Sequence, residues 1–131
     1  MLTQIEGKMA DIPLITVIDD DPSVRKALGR LCNSAGYRVN LYESSESFLK
    51  AGVVDETDCL ILDVHLPGMS GLELQAELAS FDKHCPIVFI TAYEDQRARR
   101  KAIEDGAIDF LSKPVDVDHL LKLIEQALGD Q

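Results

Sequence analysis

Groups able to handle phosphate or a metal ion stand at the ends of several short apolar runs. Asp19-Asp20-Asp21 closes LITVID, Asp63 closes CLILD, Thr91 closes PIVFIT, and Lys113-Pro114 follows FLS. Taken singly, each has an ordinary explanation: an acid that ends a strand or caps a helix, a strand-end hydroxyl, a solvated lysine. Taken together they describe a chemistry. Two carboxylates about 4 Å apart repel by about 4 kcal/mol at an effective dielectric of roughly 20. Asp19, Asp20 and Asp63 can therefore share a pocket only with a cation, a proton or Lys113 to offset them. Oxygen donors favour a hard ion, and Mg²⁺ in particular binds through carboxylates, waters and a phosphate. A carboxylate is also a nucleophile towards phosphorus and gives an aspartyl phosphate. Lys113 and the ion would then stabilise the charge on the transferring oxygens, with Thr91 free to hydrogen-bond one of them.

Such a site needs elements that bring these ends together. The near-continuous apolar runs at 14–19, 59–63 and 86–90 predict strands buried on both faces, and YRVNLY at 37–42 and 107–111 supply two more. Helices are predicted between them. One starts at the Asp21-Pro22 N-cap, carries Val24, Leu28, Leu31 and Cys32 at helical spacing, and closes at Gly36. The others cover 44–51, 71–79, 95–104 and 117–128. A β-α order repeated five times predicts a parallel sheet covered by helices on both faces. In such open sheets the ligand sits outside the C-terminal ends of the strands. That is the edge to which the acids, the threonine and the lysine are delivered.

The chain has 131 residues, enough for one domain with a proper core. With 13 basic and 23 acidic residues, its net charge of −10 opposes direct nucleic-acid binding. No apolar run reaches the roughly 20 residues of a membrane span, and the N-terminus lacks a signal-type apolar core. The cytoplasm is the expected compartment, and residues 1–12 read as a tail before a domain at 13–131. Cys32, Cys59 and Cys85 lack metal-site spacing and read as small buried hydrophobes.

The stretches VIDDDPSVRKAL, CLILDVHLPGMSGLEL, PIVFITAYED and GAIDFLSKPVD, in this order, resemble the receiver domain of two-component response regulators. The resemblance covers 14 to about 129, and the helix start and the DVHLPGMSGLEL loop are most similar to the FixJ-type subgroup. It implies an α/β (βα)5 doubly wound fold of the flavodoxin/CheY-like kind, strand order 2-1-3-4-5. It implies that Asp63 accepts a phosphoryl group from a sensor histidine kinase. It also implies Mg²⁺, with Mn²⁺ an alternative, held by Asp20 and Asp63, by Asp19 largely through water, and by the His65 carbonyl. Thr91 and Phe110 match the switch pair, and Lys113 the phosphate-binding lysine, with a cis Lys113–Pro114 bond. The family implies a switch rather than an enzyme, limited to Mg²⁺-dependent self-phosphorylation and dephosphorylation. Its output would be transcription through a DNA-binding domain outside this chain, and it would dimerise through the fourth helix and fifth strand.

Some residues keep plainer readings. Asp21 suits an N-cap better than a metal. His84 and His119 lie away from the rim. His65 and Tyr93 flank the path of attacking water. Arg97, Arg99, Arg100 and Lys101 form a basic cluster in which Asp95–Arg99, Arg100–Glu104 and Lys101–Asp105 have the spacing of helical ion pairs. A haloacid-dehalogenase-type hydrolase would carry DxDxT at the nucleophile, where Asp63-Val64-His65-Leu66 stands instead. A flavodoxin-like cofactor site is opposed by the acidic first loop. A receiver-like module without phosphorylation would have lost an acid or the lysine, and all are present.

Overall fold

The apolar runs form the parallel sheet in the computed structural model, which describes residues 12–81 and 84–129. The strands are β1 (Leu14–Ile18), β2 (Arg38–Tyr42), β3 (Cys59–Asp63), β4 (Ile87–Thr91) and β5 (Asp109–Ser112). They pair in the order β2-β1-β3-β4-β5, all parallel. Helices α1 (Pro22–Ser34), α2 (Ser45–Ala51), α3 (Gly71–Leu78), α4 (Gln96–Glu104) and α5 (Val117–Gly129) connect or follow them. Because side chains alternate across a strand, each central strand feeds two cores. Ile18, Leu60, Leu62 and Phe89 pack with Phe48, Leu74 and Phe110 on one face. Ile15, Val17, Ile61, Val88 and Ile90 pack with Leu28, Leu120 and Ile124 on the other. β1, β3 and β4 are buried along their whole length, so their C-terminal ends are firmly fixed.

Local chemistry sets where the helices begin. Asp21 Oδ1 accepts the Ser23 N–H at 2.9 Å, which makes it the N-cap of α1. Ser70 and Glu73 form a reciprocal capping box at α3, and Asp95 caps α4. The fifth strand starts two residues later than the apolar pattern predicts. The chain is still leaving α4 at that point: Gly106 has φ +101°, and the Ala107 N–H donates back to the Ala102 carbonyl. A short 3₁₀ turn at Val54–Glu56, before β3, has no periodic signal in the sequence.

Helix α4 is the lightly anchored element, burying only Ala98 and Ala102. The expected Asp95–Arg99 helical pair is replaced. Arg99 turns to β5, where its guanidinium donates to the Phe110 carbonyl at 2.9 Å and lies 3.8 Å from Asp109. Asp95 is occupied in capping, whereas Lys101–Asp105 forms as the spacing predicts. All three cysteines are buried, and burial pushes the Cys32 thiol up to about 11 and Cys59 up to about 12. Both thiols stay protonated at neutral pH and act as core residues. The expected tail lies outside the described residues apart from Ile12, whose carbonyl accepts from Arg38. Among the described residues, no helix is long and apolar enough to cross a membrane.

Candidate functional site

Strands β1 and β3 are neighbours in register, Ile18 opposite Leu62, so Asp19 and Asp63 leave the sheet side by side. A carboxylate oxygen from each of Asp19, Asp20 and Asp63 lies within 4.8 Å of the others. Asp20 is exposed, whereas Asp19 and Asp63 are buried. Lys113, carried past the end of β5, places its ammonium 2.8 Å from Asp19 Oδ2 and 3.1 Å from Asp63 Oδ2. The Lys113–Pro114 peptide bond is cis.

The contacts around the acids fix their remaining oxygens. Asp19 Oδ1 accepts the Asp21 N–H at 2.9 Å. Its buried Oδ2 faces the Lys113 ammonium at 2.8 Å and has no other donor among the described residues. Asp63 Oδ1 accepts the His65 N–H at 3.1 Å, and Oδ2 accepts from Lys113. Burial, then the charge of Asp19, raises the Asp63 carboxyl above its ordinary range, against the opposing pull of His65 N–H and Lys113. Burial also works against the charge of Lys113, but its hydrogen bonding and charge contacts with Asp19 and Asp63 outweigh this and raise it. The site thus holds more negative charge than one ammonium balances. A buried, poorly satisfied carboxylate oxygen beside an exposed acid is a donor set suited to a hard divalent cation.

Thr91 and Phe110 stand apart from this cluster. The Thr91 hydroxyl bonds within its own loop, donating to the Tyr93 carbonyl at 3.0 Å and accepting the Tyr93 N–H at 3.2 Å. Phe110 is buried opposite Phe89, with ring centroids 6.1 Å apart, and the Arg99 guanidinium lies 5.8 Å from its ring centre. His65 and Tyr93 meet edge-to-face at 5.8 Å over the same loops. His65 also lies 3.9 Å from Asp95, tying the loop after β3 to the start of α4. His119 approaches Asp109 on the α5 side, and His84 is exposed before β4. Neither reaches the acids.

Three supporting residues escape a reading of motifs. Gly71 packs so tightly against the end of β3 that a Cβ would collide with the Asp63 carbonyl and crowd Val64. Arg25 donates to the Asp19 carbonyl at 2.7 Å, and its position one turn after the Asp21 cap was the available clue. Glu46, on α2, accepts the Met69 N–H at 2.8 Å and braces the loop that follows Asp63. That hydrogen bond holds the Glu46 carboxyl below its ordinary range. Nothing in sequence spacing announces a contact between residues 46 and 69.

An apolar groove of about 380 Å³ opens beside Lys113, between Val24, Leu28 and Leu31 of α1 and the Pro114–Val117 segment.

Residues 15–125 match the model of the response regulator receiver domain. Nodulation protein W of Bradyrhizobium diazoefficiens is 42% identical over 114 residues, covering 87% of this chain and 50% of that protein. Response regulator protein TmoT of Ectopseudomonas mendocina is 43% identical over 115 residues, covering 88% and 52%. The chain thus spans about half the length of these curated relatives. Among solved structures, response regulator StyR superposes with a TM-score of 0.83 at 43% identity, over 90% of this chain and 60% of that one. FixJ-N superposes with a TM-score of 0.81 at 29% identity, over 91% and 95%.

Proposed function

The chain belongs to the response regulator receiver family, and from that premise we propose that Asp63 is its phosphoacceptor and that residues 13–131 form the receiver domain. The observation that carries this reading is the convergence of Asp19, Asp20 and Asp63 within 4.8 Å, with Lys113 bridging Asp19 and Asp63. A carboxylate oxygen of Asp63 attacks the phosphorus of a phosphohistidine on a sensor kinase. The P–O bond forms, the P–N bond breaks, and the leaving imidazole takes up a proton. The groove lined by Lys113 and apolar residues of α1 offers a seat for the sensor kinase.

Asp20, Asp63 and the His65 carbonyl, with Asp19 acting through water, would hold Mg²⁺ or Mn²⁺. When bound, the ion supplies positive charge to the transferring oxygens. Lys113 follows Asp63 from carboxylate to phosphoryl group and keeps a charge-assisted contact throughout. Reversal is hydrolysis: a water oxygen attacks phosphorus and regenerates the Asp63 carboxylate, along a path bordered by His65 and Tyr93.

Phosphorylation adds about one negative charge and strong acceptor oxygens. The Thr91 hydroxyl exchanges its bonds to the Tyr93 backbone for a phosphoryl oxygen, drawing in the loop at 91–94. That loop leads into lightly anchored α4, and Arg99 carries the shift to Phe110. The altered α4–β5 face then favours a second copy of the chain. The output is transcription, through a DNA-binding domain outside these residues.

Intact mass measured after incubation with Mg²⁺ and acetyl phosphate tests the assignment. A single phosphoryl adduct on the wild type, absent from Asp63→Asn, is expected. Equal labelling of the variant would refute Asp63 as acceptor.

A further inference from the structure

A second surface, on the α1–β2 edge of the sheet, has a different character from the acidic rim. Lys26, Arg30 and Asn33 of α1 face Val39 and Leu41 of β2 across a groove of about 290 Å³. Gly29 forms part of its lining: a Cβ there would stand 3.1 Å from the Leu41 side chain, so the glycine lets helix and strand approach closely. Leu41 is 40% exposed, a large apolar side chain facing solvent.

β2 is the end strand of the sheet, and no described strand lies beyond it. Its Arg38 N–H donates to the Pro13 carbonyl, and its Tyr42 carbonyl accepts the Asp19 N–H. Residues 38 and 42 thus turn their polar backbone groups towards β1. By the alternation of a parallel ladder, Val39 and Leu41 turn theirs outward, while their side chains line the groove. Free backbone donors and acceptors and an apolar pocket therefore lie along one edge.

The charge of the groove identifies its occupant. The chain carries a net charge of −10, yet the groove lining contains no acid. Lys26 and Arg30 are exposed and have no ion-pair partner among the described residues. We propose that this edge docks an extended, acidic segment of a partner protein, which adds a strand along Val39–Leu41 and sets its carboxylates against Lys26 and Arg30. Backbone pairing supplies affinity, the pocket takes one apolar side chain, and the two cations select acidic neighbours. The surface is separate from the Asp63 pocket, and its occupancy requires no phosphoryl transfer.

Fluorescence anisotropy with a short labelled peptide alternating glutamate with leucine tests this on the full chain. Saturable binding is expected, with amide shifts concentrated at Val39 and Leu41 in NMR spectra. Lys26→Glu/Arg30→Glu, shown to be folded by circular dichroism, should weaken binding by at least about tenfold. Lys122→Glu, a single charge reversal on α5, should leave it unaltered. The proposal is overturned by absence of saturable binding, by equal binding to the Lys26→Glu/Arg30→Glu variant, or by equal affinity for a peptide with lysine in place of glutamate. Displacement by a single-stranded oligonucleotide as effective as by unlabelled peptide would also overturn it, by exposing a general polyanion surface.

Discussion

Asp63→Asn should make the protein more stable, although it removes the group on which the proposed function depends. Three carboxylates share the site, each with an oxygen within 4.8 Å of the others. At an effective dielectric of about 20, each repulsion on Asp63 at that separation costs about 3 kcal/mol. Its attraction to Lys113 at 3.1 Å returns about 5 kcal/mol on the same scale. The two repulsions together exceed the attraction, more narrowly once solvent screening of exposed Asp20 is allowed for. The cost of burying the Asp63 charge adds to them. Asparagine keeps the shape and can still accept the His65 N–H. A gain of roughly 1–3 kcal/mol in metal-free buffer at neutral pH follows from the Coulomb balance and the penalty on buried charge.

Urea denaturation followed by circular dichroism, in EDTA and in excess Mg²⁺, provides the assay. Mg²⁺ should stabilise the wild type by binding its folded form, and should narrow the gap to the variant. The pH dependence has a definite sign. The folded-state value of Asp63 is raised, so folded protein retains a proton over a range in which the unfolded chain has lost it. Stability conferred by the protonated form is lost as pH rises through that range. The advantage of Asp63→Asn should therefore be complete above the raised value and close as pH falls to the ordinary carboxylate value. A variant no more stable than the wild type in EDTA, or a gap that widens with Mg²⁺, would refute this electrostatic account.

Lys113→Met should remove an alkaline transition. Lys113 is raised in the folded state, so its stabilisation is present below the ordinary lysine value and lost as pH climbs above it, a loss the variant should not show in pH-dependent urea melts. Gly71→Ala should cost about 1–3 kcal/mol by overpacking against the Asp63 and Val64 backbone, and should slow labelling by acetyl phosphate; an unchanged midpoint and rate would remove Gly71 from the support of Asp63. Arg99→Ala should cost about 1 kcal/mol through its lost hydrogen bond to the Phe110 carbonyl, and should uncouple phosphorylation from dimerisation without lowering adduct formation, as read by sedimentation and intact mass together.

Much of this protein is legible in one dimension because its architecture follows from local patterns. Apolar runs such as CLIL and IVFI bury on both faces of a sheet, and alternation with amphipathic helices requires parallel strands. That order delivers Asp19, Asp63, Thr91 and the segment leading to Lys113 to one edge, so their grouping was readable from the ends of strands. The cap at Asp21 was equally local, since its side chain bonds a backbone N–H two residues on.

Other features depended on where a side chain finds its best partner across the fold. Arg99 has Asp95 one turn away, but Asp95 is engaged at the helix start, and the Phe110 carbonyl and Asp109 lie within reach on β5. Glu46 bonds Met69 only because the start of α2 and the loop after β3 meet in the folded chain. The start of β5 was displaced because the exit from α4 uses Gly106 and Ala107 before the strand begins. Hydrophobic periodicity records which face of an element is buried, whereas these contacts depend on the distances between elements. The residue types and strand order determined where the acidic site lies; tertiary packing decided that Lys113 contacts both Asp19 and Asp63, while Thr91 bonds its own loop.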